Sequence, residues 1–386
     1  MTTRALVNIG KILSGDLENP VLSGNTIVVV DGKIAAIGNE ELLKDFNVDQ
    51  LLDVNGTTVT PGLIDSHVHP VLGDFTPRQK TLDYLDSALH GGVTTMISAG
   101  EPHTPGRPKD PAGVKALAIL VHKSFKNLRP SGLKIHGGAI ILEKGLREED
   151  FAEMAREGVW LVGEIGLGSV KTPEEAAPMV GWARQHGMKV AIHSGGTSIP
   201  GSSVVTAQMV MEINPTVVSH TNGGPTALSP AEIDKLIDHT VLPLEIVQCG
   251  NIKAADYIAR RLKEKGQLHR IIIGNDSPSG SGIIPLGILR TMVQLASLSG
   301  IAPEKAIAMA SGNTAAIYGL NTSMIATGRE ADLVVMDAPI GSVGGDAMAA
   351  MQAGDIPGVS LVMIDGEVKV QTSRNTPPAT RKVKIT

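Results

Sequence analysis

The segment PGLIDSHVHP, residues 61–70, places two histidines one residue apart at the end of an apolar run. Side chains alternate between the faces of a strand, so His67 and His69 project to the same side, about 6.6 Å apart at a rise of about 3.3 Å per residue. Two imidazoles at that separation can converge on one metal ion, or they can be one core and one surface histidine. Four further apolar runs end in residue types that ligate metals: Glu164 in GEIG, His193 in VAIHS, His220 in VVSHT and Asp276 in IIGND. Together these histidines and carboxylates offer enough donors for two ions. Imidazole and carboxylate suit Zn2+, Fe2+ or Mn2+ rather than Ca2+, without choosing among them.

Residues so far apart in sequence meet only if a repeated scaffold carries them to one place. The chain offers one in eight apolar, β-branched runs: TVTPGLIDSHVH, GVTTMISAG, LKIHGGAIIL, GVWLVGEIGLG, MKVAIHSGG, PTVVSHTNGG, LPLEIVQCG and HRIIIGND. Most are followed by a helical pattern, as βα units of a parallel sheet require. Two helices have local signals. Ser229, Pro230 and Glu232 read as N-cap, first-turn proline and capping box before Ile233, Leu236 and Ile237. Ala255, Ile258, Ala259 and Leu262 form a stripe that Gly266 can end. Eight βα units predict an α/β fold, a (β/α)8 TIM-like barrel, and sites in such barrels lie at the carboxy ends of the strands. All six candidate ligands fall there.

The chain ends have a different texture. Residues 1–57 and 325–386 carry short β-rich runs, with Asp31-Gly32 and Asp365-Gly366 as hairpin signals. We expect them to pair into one small β-sandwich around a barrel inserted over residues 58–324. The polar, basic tail QTSRNTPPATRKVKIT is expected to lie on the surface or against a neighbouring subunit.

Composition narrows the function. The 386 residues carry a net charge of -5 with scattered signs and only 2% aromatics, which argues against nucleic acid as a partner and for a small molecule. No signal peptide or apolar run long enough for a membrane span is read, and the single Cys249 fits a reducing compartment, so the expected location is the cytoplasm. Among the other histidines, His90, His122, His186, His239 and His269 fall in helix or connector patterns, whereas His103 and His136 lie near strands two and three. The run GEIGLG lacks the Lys-Ser/Thr of a phosphate loop.

The His-x-His pair, the fourth-strand carboxylate, two single histidines and the last-strand aspartate resemble the metal-dependent amidohydrolase superfamily. The flanks DGKIAAIG and GREADLVVMD are similar to that family's two-part sandwich. The resemblance implies that His67, His69 and Asp276 hold one divalent ion and His193 and His220 a second, with Glu164 bridging. The implied pair is Zn2+ with Fe2+, with two Zn2+ or Mn2+ as alternatives. Many members bridge their metals with a carbamylated lysine, for which Lys171 and Lys134 are the competing candidates here. The implied reaction is hydrolysis of a carboxylated cyclic amide, an enamide or lactam such as a tetrahydro-oxonicotinate, with Asp276 as general base. The substrate carboxylate could meet His103, Arg107, Thr197, Ser198 or Lys253, and NDSPSGSG could form a loop over the site. A nucleobase deaminase, a dihydroorotase-like enzyme or a lactonase would use similar ligands, and a non-catalytic oligomeric scaffold is the remaining alternative. The resemblance also implies a homo-oligomer, a tetramer.

Overall fold

Parallel strands need a crossover after each one, and in the computed structural model the alternation of apolar runs and helices closes eight of them into a barrel. The structure describes residues 2–70, 84–104, 106–197, 201–223, 227–277 and 284–386. The barrel strands are β1 (Leu63–Val68), β2 (Val93–Ser98), β3 (Lys134–His136), β4 (Leu161–Ile165), β5 (Lys189–Ile192), β6 (Val217–Val218), β7 (Leu244–Val247) and β8 (Ile271–Gly274). They form two parallel arcs, β1 to β3 and β4 to β8. Parallel bridges between Ile140 and Val162 and between Val68 and Ser277 join the arcs into a ring. Strands β1, β2, β4, β7 and β8 are buried at every position, because helices cover one face and packed side chains fill the other.

The helices form from the signals the sequence carries. Ser229 Oγ accepts the Glu232 amide at 3.3 Å, and helix Pro230–His239 turns Ile233, Leu236 and Ile237 inward. The expected capping box is not closed. The Glu232 carboxylate instead accepts the Ala207 amide at 2.8 Å and Lys235 Nζ at 2.6 Å, tying its helix to Ala207–Ile213. Helix Ile252–Glu264 buries Ala255, Ile258, Ala259 and Leu262, and Gly266, at φ +66°, follows its end.

Both chain ends build the sandwich. One sheet runs Lys384–Ile385, Gln50–Asp53, Thr3–Val7, Thr26–Val30, Lys33–Gly38; the other runs Glu367–Val370, Gly358–Ile364, Leu333–Asp337, Thr58–Pro61, Lys11–Leu13, Val21–Leu22. Leu6, Ile12, Ile27, Val59, Leu333 and Val335 pack into a core of their own. Asp31-Gly32 and Asp365-Gly366 turn their hairpins with both residues at positive φ, as a type I′ turn demands.

Two segments depart from the sequence reading. TVTPGLIDSHVH is not one strand: Thr58–Pro61 pairs with Leu333–Asp337 and Lys11–Leu13 in the sandwich, and the barrel begins at Leu63. Gly62 makes the change of sheet possible, since a Cβ there would lie 2.1 Å from Thr94 Oγ1. The tail is stitched in rather than merely lying on the surface. Arg381 grips the buried Asp337 carboxylate through Nη2 at 2.6 Å and Nε at 2.9 Å, and Lys384–Ile385 adds an edge strand. Among the described residues no helix is long and apolar enough to cross a membrane.

His136, on β3, stacks edge-on to Trp160 with ring centroids 5.2 Å apart. Burial, reinforced by the charges of Lys134, His122 and Arg129, pushes its imidazole down to about 4. Between the ordinary histidine value and that one, the unfolded chain binds a proton that the folded chain refuses. His136 therefore costs no stability above about pH 6.5 and lowers it as pH drops toward about 4, by up to about 1.4 kcal/mol per pH unit. His136→Phe is expected to flatten this dependence in urea unfolding followed by tryptophan fluorescence; an unchanged slope would assign the acid sensitivity to other groups.

Candidate metal centre

Six side chains from five strand ends meet at the carboxy face of the barrel. They form two groups, His67, His69 and Asp276, and Glu164, His193 and His220, within each of which one donor atom per residue lies within 4.8 Å of the others. In the first, the Nε2 atoms of His67 and His69 are 3.2 Å apart, and Asp276 Oδ1 lies 3.5 Å and 3.3 Å from them. In the second, His193 Nδ1 lies 3.0 Å from His220 Nε2. Glu164 reaches both groups. Its Oε2 is 3.5 Å and 3.7 Å from the His67 and His69 Nε2 atoms, and its Oε1 is 2.6 Å from His220 Nε2.

The far nitrogens decide what the near ones present. A carbonyl only accepts, so His69 Nδ1, 2.9 Å from Gly100 O, carries its proton there and turns a lone pair inward from Nε2. His67 Nδ1 lies 2.7 Å from Glu245 Oε2, which gives the same result for its Nε2. His193 Nε2 donates to Gly196 O at 2.7 Å and leaves Nδ1 bare. Lone pairs of His67, His69 and His193 thus converge with carboxylate oxygens in a buried space, while His220, whose Nδ1 has no partner, is not committed from behind; such an arrangement suits a cation. The donor set fits divalent zinc, iron or manganese.

The local field calls for positive charge in the same place, which a proton on an imidazole or a bound cation supplies. Burial lowers the pKa of His67, but Glu245, Glu164 and Asp276 outweigh it and hold it well above the ordinary value. Burial also works against His220, where Glu164 reverses the sign. His193, whose nearest charge is His220, is pushed down to about 4 by burial first and that neighbour second. Glu164 and Asp276 stay ionised well below the usual carboxylate range: burial opposes this, and the neighbouring imidazoles overcome it.

Strain collects at two of the six. His220 sits at φ +30° and Asp276 at φ +58°, conformations that non-glycine residues rarely adopt. Each is clamped by its own amide: Asp276 N–H donates to His67 O at 2.9 Å, and His220 N–H to Glu245 Oε2 at 3.1 Å.

Lys134 and Lys171, the alternatives to Glu164, are engaged elsewhere. Lys134 binds Glu330, Asp332 and Asp365 at 2.5, 2.7 and 2.7 Å, and Lys171 Nζ donates to Gly201 O at 2.8 Å. His103 stands edge-on to His69 with centroids 5.4 Å apart and is exposed toward the mouth. Arg107 is already matched, its Nη2 2.7 Å from buried Glu143, on the wall of a cavity of about 510 Å³ that Lys109 and Lys171 also line. Thr197 and Lys253 are exposed. Ser198 lies outside the described residues, as does most of NDSPSGSG.

Four supporting groups escaped the sequence reading. Glu245 interrupts an apolar strand with a charge, a signal that could have been followed. Asp65 accepts the His67 amide at 3.2 Å and the Asn275 amide at 2.9 Å, Gly100 offers only its carbonyl, and the Cys249 thiol donates to Asp276 Oδ2 at 3.2 Å. Asp65, a charge inside the apolar strand LIDSHV, carries the same signal as Glu245, and nothing local in the sequence marks the other two.

The sequence pattern of the Amidohydrolase family matches residues 58–369. An enamidase of Eubacterium barkeri is 64% identical over 385 residues, covering 100% of both chains. An imidazolonepropionase of Clostridium tetani is 26% identical over 84% of this chain and 87% of its own. The crystal structure of an enamidase, a member of the amidohydrolase superfamily, superposes with a TM-score of 0.97 at 64% identity over 100% of both chains.

Close packing behind His67 yields a test. A Cβ on Gly274 would lie 2.7 Å from His67 Cβ and 3.1 Å from its N, whereas one on Gly181, inside helix Pro173–Gln185, meets nothing within 4 Å. Gly274→Ala is expected to cost about 1–3 kcal/mol in chemical denaturation and to lower the metal content of the purified protein. Gly181→Ala should match or exceed wild-type stability. Equal behaviour of the two variants would show that the His67 position tolerates displacement.

Proposed function

The chain belongs to the amidohydrolase family, and from that premise we propose that it hydrolyses the ring amide of a cyclic enamide. The observation that carries this reading is the 64% identity to an enamidase over both full chains. Two divalent ions, zinc with iron first among the candidates, would be held by His67, His69 and Asp276 and by His193 and His220, with Glu164, which reaches both groups, serving both. When bound, such ions would lower the pKa of water from 15.7 toward about 7 and polarise the amide carbonyl.

The remaining work falls to the chain. Asp276 places Oδ1 3.5 and 3.3 Å from the His67 and His69 Nε2 atoms, at the centre of the site, where a carboxylate can take a proton from the attacking water. It then delivers that proton to the ring nitrogen. An amide nitrogen leaves poorly as an anion, and the shuttle lets it leave neutral. The thiol of Cys249, at 3.2 Å from Oδ2, fixes which way the carboxylate turns. His103, exposed beside His69, is the first proposed contact for a substrate carboxylate, and Lys253 the second. Ring opening of a tetrahydro-oxonicotinate leaves an enamine, which tautomerises to an imine; a second water adds to the imine carbon, ammonia leaves, and a formylglutarate remains.

The test is metal content and turnover together. Wild-type protein should carry close to two metal ions per chain and release ammonia from the cyclic enamide. Asp276→Asn should lose about 10²–10⁴-fold in turnover while keeping most of its metal. Normal turnover by that variant removes Asp276 from the shuttle. A preference for a lactone, a dihydropyrimidine ring or a nucleobase over the enamide would replace the substrate assignment and leave the family intact.

A further inference from the structure

Glu245 lies on β7, 1% exposed, and touches neither solvent nor the inward-facing donor atoms. Its Oε1 accepts from Ser66 Oγ. Its Oε2 accepts twice, from His67 Nδ1 at 2.7 Å and from the His220 amide at 3.1 Å. Its main-chain carbonyl accepts the Thr221 amide at 2.8 Å. One residue therefore holds a ring of the first triad and the main chain beneath a ring of the second.

We infer that Glu245 is a positioning residue for both triads at once, so that the two metal positions gain or lose affinity together. The inference rests on the reading that the triads hold metal ions. At His67 the carboxylate fixes the tautomer, turns the Nε2 lone pair inward and makes that nitrogen a stronger donor. At His220 it satisfies a buried amide that the left-handed backbone turns away from the strand ladder, and so keeps the ring facing Glu164. Asp65, the other buried carboxylate behind the site, differs: its bonds run to the amides of His67 and Asn275 and to Asn275 Nδ2, all beside the first triad.

Glutamine separates geometry from charge. In Glu245→Gln the side-chain oxygen can still accept both N–H groups while the new amide donates to Ser66 Oγ, so the shape survives and the negative charge does not. The full-length protein is freed of metal and reloaded with Co2+. Visible absorption and bound cobalt per chain are then followed as a chelator is added. Glu245→Gln is expected to release both cobalt ions at about 10–100-fold lower chelator concentration than wild type, with the absorption bands of both positions altered and the melting of the metal-free protein unchanged. Glu245→Ala is expected to retain neither ion. Should the alanine variant fail to fold, the glutamine variant decides alone. Release of one ion only, or of neither, at lower chelator concentration overturns the inference. Wild-type protein that binds fewer than two cobalt ions overturns the two-metal reading itself, and the inference with it.

Discussion

Electron-rich atoms gathered in a buried space repel one another, and this site gathers imidazole nitrogens and carboxylate oxygens within about the reach of a single ion. Holding them there is the constraint that the rest of the structure answers. Each donor has its second polar atom or its main chain fixed from behind: His67 by Glu245, His69 by the Gly100 carbonyl, His193 by the Gly196 carbonyl, Asp276 by Cys249 and by its amide bond to His67. Because those outer bonds engage the far nitrogens of His67, His69 and His193, the inner nitrogens of these rings face the carboxylates as lone pairs, which a positive charge relieves. The same bonds that orient the site therefore also commit it to cations.

The barrel supplies the stiffness for this, and the sandwich braces the barrel at the opposite end. Thr58–Pro61 pairs within the sandwich and passes through Gly62 directly into β1, which ends in His67. Lys134, at the start of β3, is held by Asp332 and Glu330 of the sandwich segment. Closure of the ring falls at the site itself, where Val68 bridges Ser277 and the His69 amide donates to Ser277 O at 2.9 Å. A strand fixed at its base and paired along both edges leaves its last residues little freedom, which is what ligands at a strand end need.

Much of this was legible in the sequence, and the part that was not has a common cause. The eight apolar runs, the two Asp-Gly hairpins and the six candidate ligands are all local patterns: composition, period and position within a run. Contacts between distant segments are not. Glu245 touches His67 across 178 residues. Cys249 finds Asp276 only because β7 and β8 are neighbours in the ring. The division of TVTPGLIDSHVH depends on which strands lie beside its two halves, since both halves are equally apolar. Glu232 carried the correct capping signal, yet a helix neighbour offered its carboxylate a better donor than the residue it was expected to cap.

The choice of glutamate on β4 follows from the same geometry. A bridging group must offer two oxygens set apart by one carbon, and Glu164 already points Oε2 at His67 and His69 and Oε1 at His220. A lysine could match this only after carbamylation, which makes assembly of the site depend on carbon dioxide as well as metal. Lys134, on β3, has its charge spent among three carboxylates at the sandwich, and moving it would leave the buried Asp332 without a counter-charge there. Glutamate presents both oxygens without modification, and Lys134 is left to join the barrel to the sandwich.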